Sequence, residues 1–421
     1  MMVVIDEISF ASYPVLQTIN TKLNILKEVG GEAKYGGIPI IFAGDFSQLE
    51  PVKQRPLFID PDNHLWYDCV NTFLELKTNH RFGKNSEWGN LLKRMRSIGS
   101  TEEDLKKINS RVISPTNSIK EEDIPDNAVY ATSNNNDKAA INDAIFAKFL
   151  ESTHSRNPDD NVPLHTICIK ASNMAFKENS GTQYKKENGH MSDVVYSSCS
   201  DGHIKNNDGK RYDALLKLYE GRPLCINENI DVKNCIANGA LAEFKGIIFK
   251  ENVSVDQLEK ILIDGYYVYC TDASMVKALV LEMIDGNKNK DDPKIIHLSP
   301  KKIRAHVHFP ICWDGPISRH TRRVWRLIKF EQFPVNVANA RTVHKLQGRS
   351  IDNLVISTWN YTGNWVYVVL SRCRTLNGIF LRKPLLKTRP MSEMCKAFHE
   401  EFRSTKSPKN QSDEDSIYYW Y

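Results

Sequence analysis

Two carboxylates, Asp6 and Glu7, stand directly behind the apolar run Val3-Val4-Ile5. A strand that delivers an acid to a sheet edge can hold a magnesium ion through Asp6, directly or through water. Glu7 is then placed to polarise water for attack on a γ-phosphate. The plain alternative is an exposed acid pair capping a strand, and alone the pair is a weak signal. A second apolar run, in "IIFAGDFSQLEPV", ends at Gly44-Asp45, with Gln48 close behind. Gly44 permits a tight turn at a strand end. Gln48 is a neutral donor and acceptor suited to sensing a terminal phosphate and its water. An ordinary polar loop is the competing reading, weakened because two such strands each end in an acid-bearing loop.

Three further segments carry cations or crowded donors. Arg81 in "LKTNHRF" follows a strand-like "FLELK", and a guanidinium fork suits phosphate oxygens; a lone arginine is otherwise a surface residue. "FPVNVANARTVHKLQGRSID" crowds Thr342, His344, Lys345, Gln347, Gly348 and Ser350 between two hydrophobic strands. Such donors suit the backbone phosphates and bases of a single strand, against the alternative of a solvated helix face. "WVYVVLSRCRTLNGIFL" ends its apolar stretch at Ser371-Arg372, with Arg374 just beyond. An arginine projected from an adjoining domain stabilises charge developing on a transferred phosphate; the alternative is a helix terminus whose arginines only favour the dipole.

These residues need elements to position them. Val3–Ile5 and 38–43 read as short, buried parallel strands. Between them, "VLQTINTKLNILKEV" has helical spacing at Val15, Ile19, Leu23 and Leu26. A strand–helix–strand order favours a parallel sheet. "EWGNLLKRMRSIG" and "TEEDLKKINSRVI" read as amphipathic helices, the second with Thr101 as N-cap and acids in its first turn. After a polar linker, the strand "AVYAT" leads into the helix "KAAINDAIFAKFL", the start of a second α/β unit. Residues 151–215 are polar and loop-rich, and 216–330 carry β-like runs such as "GIIF", "YYVYC" and "AHVHF". From 335 the α/β character returns with "LVIST" and "VYVVLS"; the tail beyond Arg403 is polar until its last residues.

Bulk composition bounds the function. The chain has 421 residues, 41% hydrophobic and 25% charged, an ordinary globular balance sufficient for two or three domains. No run approaches a membrane span, and no signal peptide precedes the first strand, so a membrane partner and secretion are not expected. A net charge of +5 permits a nucleic-acid partner without arguing strongly for one. Cys69, Cys168, Cys199, Cys225, Cys235, Cys270, Cys312, Cys373 and Cys395 form no Cys-x-x-Cys pair and read as reduced thiols, not as a zinc site or disulfide framework.

In this order the five segments resemble the motifs of superfamily 1 helicases of the Pif type (petite integration frequency), which are 5′-to-3′ DNA helicases. "VVIDEIS" resembles motif II, "FAGDFSQLEPV" motif III, "LKTNHRF" motif IV, "ARTVHKLQGRSID" motif V and "VYVVLSRCRTLNG" motif VI. "VYATSNNNDKAAIN" and "GRPLCINENI…NGALAEFKGI", with Asn238-Gly239 as its turn, are weaker echoes. The likeness spans about 1–145 and 220–385; Glu50 stands where the family usually has proline.

The resemblance implies an α/β fold of two RecA-like parallel-sheet domains. Residues 1–115 would be the C-terminal part of the first, 128–150 with 335–390 the second, 151–330 an insertion holding a small β domain, and 404–421 a polar tail. It also implies ATP and Mg²⁺ as cofactors. Asp6 would hold the metal, Glu7 would activate water, and Gln48 would touch the γ-phosphate. Arg81 and Arg372 would reach the triphosphate. Gly44, Asp45, Gln347 and Gly348 would line the nucleotide, and Thr342, His344 and Lys345 would meet DNA. The expected activity is translocation along, and unwinding of, single-stranded and forked DNA in repair, recombination or telomere maintenance. The expected location is nuclear or mitochondrial in a eukaryote, otherwise cytoplasmic.

One motif is missing from the set. The family's glycine-rich loop ends Gly-Lys-Ser/Thr and lies upstream of motif II; its amides cradle the phosphates. Neither "FGKNS" nor "DGKRY" supplies it. The chain as written is therefore expected to expose apolar sheet edges, to bind ATP poorly and not to unwind DNA alone. A truncated gene model, a separate chain that carries the loop, and a remnant kept for DNA binding or scaffolding are all compatible with this pattern. On the last reading, Lys301, Lys302, Arg304, Arg319, Arg322, Arg323 and Arg326 would be phosphate contacts rather than solvated faces. A nuclease–helicase fusion would need a metal cluster that these residues do not contain.

Overall fold

The computed structural model describes residues 1–30, 33–59, 62–76, 81–82, 86–115, 118–156, 162–163, 165–177, 184–186, 203–206, 209–285, 294–310 and 323–406. Cys199, Cys312, Arg319, Arg322 and the tail beyond Lys406 lie outside the described residues. By compactness the chain divides into two units, Met1–Ser133 with Val343–Tyr421, and Asn134–Thr342. This division is coarser than the expected domains and falls at other residues.

The first unit begins with β1 (Val3–Ile5), α1 (Tyr13–Leu26), β2 (Ile40–Phe42), α2 (Glu87–Ser97), α3 (Glu102–Asn109) and β3 (Val129–Thr132). The second unit holds α4 (Asn135–Thr153), β4 (Thr166–Lys170), β5 (Ser172–Lys177), β6 (Tyr184–Lys186), β7 (His203–Lys205), β8 (Arg211–Asp213) and β9 (Leu215–Tyr219). It continues with β10 (Pro223–Ile226), β11 (Leu241–Phe249), β12 (Glu259–Ile263), β13 (Tyr266–Asp272), β14 (Val276–Met283) and β15 (Ile295–Leu298). Its last strands are β16 (Lys301–Pro310), β17 (Arg323–Gln332), β18 (Val335–Val337) and β19 (Ala340–Thr342). The chain returns to the first unit with α5 (Val343–Leu346), β20 (Leu354–Ile356), α6 (Trp365–Leu370), β21 (Ile379–Leu381) and α7 (Glu393–Lys406).

β1 and β2 pair in parallel, Val3 opposite Ile40 and Ile5 opposite Phe42. Side chains alternate across a strand, so Val3, Ile5, Ile40 and Phe42 pack inward while Val4 and Ile41 remain 58% and 48% exposed. The strands expected to be buried are therefore buried on one face only. The core beneath them contains Ile8, Leu16, Leu23, Tyr35, Phe58 and Trp66, closed by Phe398 and Phe402 of α7. Phe46 meets Phe398 edge-on at 5.2 Å, an arrangement favoured by the ring quadrupoles. The inward face of α1 is Leu16, Ile19 and Leu23, whereas Val15 and Leu26 are exposed. The expected stripe was thus rotated, because both sets fit a helical period and only the packing partner selects between them.

A second core in this unit joins Trp88, Leu91, Leu92 and Met95 of α2 and Ile108 of α3 to Val343, Leu346, Leu354, Ile356, Val368 and Val369. β20 runs parallel to both neighbours, Leu354 opposite Val129 and opposite Ile379. Its three residues are buried, as expected for a strand covered on both faces. α3 starts with a reciprocal cap, Asp104 N–H donating to Thr101 Oγ1 at 3.1 Å and Thr101 N–H to Asp104 Oδ2 at 3.2 Å. "FLELK" is not a strand in its described residues; Phe73 N–H instead donates to the Lys406 carbonyl at the end of α7.

The second unit is β-rich. One sheet runs β15-β14-β11-β10-β18, a second β12-β13-β4-β9, a third β16-β17-β5-β6, and β7 pairs with β8. Strands β4 to β8 fall within 151–215, so that stretch is not merely loop among its described residues. The Asn238-Gly239 turn between β10 and β11 is present, with Gly239 at φ +96. Arg222 is fully buried between the rings of Phe146 and Tyr219, each 5.1 Å away. It donates to Asn339 Oδ1, the Lys217 carbonyl and the Asn142 carbonyl. Asn142 Oδ1 in turn accepts from Ala340 N–H at 2.8 Å, fixing the strand that ends at Thr342.

Among the described residues no helix is long and apolar enough to cross a membrane, and no group of three or more His, Cys, Asp or Glu side chains is placed to hold a metal ion. The described cysteines are free thiols.

Candidate active site

The parallel register of β1 and β2 carries both strands to the same end. Ala43 N–H donates to the Ile5 carbonyl at 2.8 Å, and Ile8 N–H to the Ala43 carbonyl at 2.9 Å, zipping the two following loops together. Gly44 has φ +152, and a Cβ there would sit 2.8 Å from the Ile8 nitrogen. Only glycine allows this approach, which sets Asp6 and Glu7 beside the loop of Asp45 and Gln48. Glu7 itself is left-handed, φ 52, a conformation non-glycine residues adopt under constraint and often at functional sites.

Glu7 Oε2 accepts a hydrogen bond from Gln347 Nε2 at 2.8 Å. Gln347 also donates to Ser9 Oγ at 3.3 Å. Gly348 follows at φ +78, where a Cβ would come within 3.3 Å of Glu7 Oε1. Motifs read from opposite ends of the sequence therefore meet at one carboxylate. Asp6 is exposed, and one of its oxygens accepts from Glu7 N–H at 2.8 Å.

Asp45 Oδ1 accepts from Ser47 N–H at 2.8 Å and from Arg96 at 3.0 Å, while Arg96 Nε donates to Ser47 Oγ at 2.7 Å. Its carboxylate thus braces its own loop. Gln48 hangs from that loop, and its carbonyl accepts from Asn364 Nδ2 at 3.2 Å. Gln48 Oε1 and Gln347 Oε1 are buried and have no hydrogen-bond partner among the described residues, an arrangement that is costly unless a further donor completes it.

α6 ends at Ser371-Arg372. Arg372 is 3% exposed; its Nε donates to the Val368 carbonyl at 3.0 Å and its NH2 to Ser371 Oγ at 2.9 Å. It makes no ion pair among the described residues. Arg81 donates to the Ser371 carbonyl at 3.1 Å, which brings a second guanidinium alongside. Burial above all, and then the charge of Arg81, push the Arg372 pKa down to about 10, while Tyr367, Glu7 and Asp45 oppose the shift. Arg81 is likewise lowered, chiefly by burial. Tyr367 lies within electrostatic reach of Asp45, Arg96, Arg372 and Arg81, and burial raises its phenol. Two desolvated guanidiniums side by side form a place where an anion is stabilised.

The fit to ATP and magnesium can be judged residue by residue. The arginine pair fits the terminal phosphate of a nucleotide, and the orphaned amide oxygens fit a water that donates to them beside it. Asp6 fits a magnesium ion that takes one carboxylate and draws its other ligands from phosphate and water. A Gly-Lys-Ser/Thr cradle for the remaining phosphates is not among the 421 residues.

The structure brings together Asp6, Glu7, Gly44, Asp45, Gln48, Arg81, Gln347, Gly348 and Arg372 within the first unit. His344 and Lys345 sit on α5, whose Val343 and Leu346 are buried, so both face solvent, with His344 stacked on Phe10 at 6.4 Å. Thr342 closes β19 in the second unit. Arg374 is spent in an exposed pair with Asp352. Sequence reasoning missed Arg96, Asn364 and Tyr367. Only the helical phase of α2 marks Arg96, and nothing local marks its partner.

Comparison with known proteins adds the following. Residues 1–101 match the PIF1-like helicase family. The uncharacterized protein 030L of Invertebrate iridescent virus 6 is 20% identical over 425 residues, covering 95% of this chain and 75% of that protein. The ATP-dependent DNA helicase PIF1 of Xenopus laevis is 22% identical over 388 residues, covering 89% of this chain and 45% of the helicase, so the chain spans under half of that relative. Among solved structures, two coordinating Pif1 helicases at forked double-stranded DNA give a TM-score of 0.60 at 19% identity, covering 96% of this chain and 75% of theirs. Bacteroides Pif1 bound to single-stranded DNA gives 0.59 at 18%, with the same coverage. Pif1 helicase from Candida albicans gives 0.57 at 15%, covering 96% and 77%. At these identities the likeness is one of fold: α/β with parallel sheets, RecA-like.

Proposed function

We propose, from a chain that carries the Pif1-type superfamily 1 helicase fold, that it is the carboxylate-and-arginine side of an ATP-driven DNA helicase motor. The observation that carries this reading is Arg372, buried with no ion pair among the described residues, beside Arg81 and within electrostatic reach of Glu7 and Asp45. A buried guanidinium without a carboxylate partner is costly; a transferred phosphate relieves that cost at the moment its charge develops.

The proposed roles are compatible with the geometry. Glu7 holds the attacking water and takes its proton at a carboxylate oxygen. Gln48 accepts from that water at its buried amide oxygen and reaches the terminal phosphate as a donor through its amide NH2. Arg372 and Arg81 neutralise the equatorial oxygens. Asp6 holds magnesium, whose chemistry when bound is to offset phosphate charge. Gly44 and Asp45 act through the loop that presents Gln48. Gln347 and Gly348 link Glu7 to α5, where His344 and Lys345, with Thr342 before them, reach a DNA strand. The finer reading is translocation and unwinding of single-stranded and forked DNA in repair, recombination or telomere maintenance, in nucleus or mitochondrion in a eukaryote and in the cytoplasm otherwise.

The glycine-rich loop bears on activity. Residues 1–421 alone are proposed not to turn over ATP until that loop is supplied, whether on the same polypeptide or on a separate chain. The absent Gly-Lys-Ser/Thr equally favours a second reading, a DNA-binding scaffold without hydrolysis. The test is DNA-stimulated ATP hydrolysis by residues 1–421 and by the same residues joined to the glycine-rich segment of a Pif1-type helicase. The proposal expects turnover only in the joined protein, lost in Glu7→Gln and Arg372→Ala. Strand binding without turnover in either form favours the scaffold. Turnover by 1–421 alone contradicts the assignment of the loop.

A further inference from the structure

A groove of about 320 Å³ opens in the first unit between the segments that follow β20 and β21, lined by Thr358, Trp359, Tyr361, Lys383, Pro384 and Leu386. Its walls are built, not incidental. Trp359 Nε1 donates to the Lys383 carbonyl at 2.8 Å, and Leu386 N–H donates to the Tyr361 hydroxyl at 3.2 Å, so both ring planes are pinned to one backbone segment. Trp359 is further held edge-on by Trp365 at 6.3 Å. Leu386 is 72% exposed at the rim, an unusual position for a leucine beside two aromatic rings.

Three cations lie along this segment. Lys387 Nζ lies 5.9 Å from the Tyr361 ring centroid, Lys383 lines the groove, and Lys383 and Arg389, two residues beyond Lys387, are exposed. None of these three cations makes an ion pair among the described residues. Fixed aromatic planes flanked by cations are the physical elements of a stacking platform for a strand with anionic phosphates, and each stacked base contributes without regard to its identity. An apolar peptide would use the rings but not the three cations, so the charge decides between these occupants.

We infer that this groove is a second single-strand contact, in which one nucleobase stacks on Tyr361 and Trp359 while Lys383, Lys387 and Arg389 meet the adjoining phosphates. No residue of the proposed hydrolytic site or of the α5 strand contact takes part. The inference rests on the reading of the chain as a DNA-strand motor and names an additional place where the strand is held.

The experiment uses residues 1–421, a fluorescent single-stranded oligothymidylate, and an abasic strand of the same length, at low salt. Tyr361→Ala is expected to weaken the oligothymidylate about tenfold and to leave abasic binding unchanged, while Tyr361→Phe, which keeps the stacking face and loses only the tether to Leu386, weakens it far less. Lys383→Gln with Lys387→Gln is expected to weaken both strands and flatten the salt dependence. A strand carrying 5-iodouracil is expected to cross-link to Trp359 or Tyr361 in the unaltered chain, a readout independent of how the variants fold. Equal binding by wild type and Tyr361→Ala, or cross-links only elsewhere, overturns the groove and leaves the motor reading intact if Lys345→Ala still weakens binding. Displacement of the strand by a proline-rich peptide assigns the groove to peptide and overturns the inference. No strand binding by the unaltered chain overturns both readings.

Discussion

Gln347 Nε2 donates to Glu7 Oε2 at 2.8 Å across 340 residues of sequence. This one bond joins the carboxylate assigned to water activation to the turn that follows α5, the helix bearing His344 and Lys345. A strand that moves α5 therefore has a direct route to Glu7, the proposed general base.

Gln347→Ala should consequently affect coupling more than folding. In the loop-completed protein, basal ATP turnover should change only a few-fold, while stimulation by single-stranded DNA should fall at least tenfold, the scale of one lost charge-assisted hydrogen bond, about 1.5–3 kcal/mol. Steady-state turnover with and without a saturating strand measures the ratio. An unchanged ratio removes the coupling role.

Arg372 is predicted to trade stability for function. Burial lowers its pKa, so the folded state carries the cost of a desolvated guanidinium that water relieves in the unfolded chain. Arg372→Met keeps the bulk and removes the charge. It should raise the melting temperature by a few degrees, in line with the roughly 1–4 kcal/mol gained when buried ionic groups are replaced by apolar ones. A calorimetric scan that shows a lower melting temperature contradicts this.

The imidazole of His399 gives a pH signature. Both of its ring nitrogens, on α7, are buried without a hydrogen-bond partner among the described residues, and burial first, then Arg96 and Arg403, lowers its pKa, with Asp45 and Glu75 opposing. The unfolded chain then takes up a proton before the folded one, so stability is lost as pH falls below the ordinary imidazole range near 6.5. Melting temperatures at about pH 7.5 and 5.5 should differ less in His399→Leu than in wild type. Equal differences refute the assignment.

Gly44→Ala should weaken the fold where the catalytic loops meet. The added Cβ collides with the Ile8 backbone nitrogen at 2.8 Å, and the φ of +152 is foreign to alanine. The expected loss is on the order of 1–3 kcal/mol, read as a shift in the urea midpoint at constant slope. Gly30→Ala, with nothing near its Cβ, is the control and should shift little.

What the sequence made legible was local. Val3-Val4-Ile5 and the run at Ile40 announced parallel strands, and Thr101 with Asp104 announced a helix start, because neighbours in sequence settle those features. The ordered motifs group Glu7, Gln48, Arg81 and Arg372 as one expected site. What stayed hidden depended on distant partners. Leu16 rather than Val15 faces the core because Tyr35 and Phe398 lie on that side. "FLELK" has strand composition but finds no strand to pair with and is tied instead to the end of α7. Arg96 is one of several cations on α2, and nothing in its neighbourhood says that it clamps Asp45. The strands within 151–215 were obscured by polar residues that alternate too weakly to reveal a half-buried sheet.

The central claim is that Arg372 meets the transferred phosphate. Its most direct test is the ATPase rate of the loop-completed protein carrying Arg372→Lys, measured by phosphate release with single-stranded DNA present. The account predicts that kcat falls about a thousandfold, the lower range for removing an arginine finger, while KM for ATP stays within a few-fold. A kcat within about threefold of wild type, well inside that range, would contradict the assignment and return Arg372 to the role of a buried structural cation.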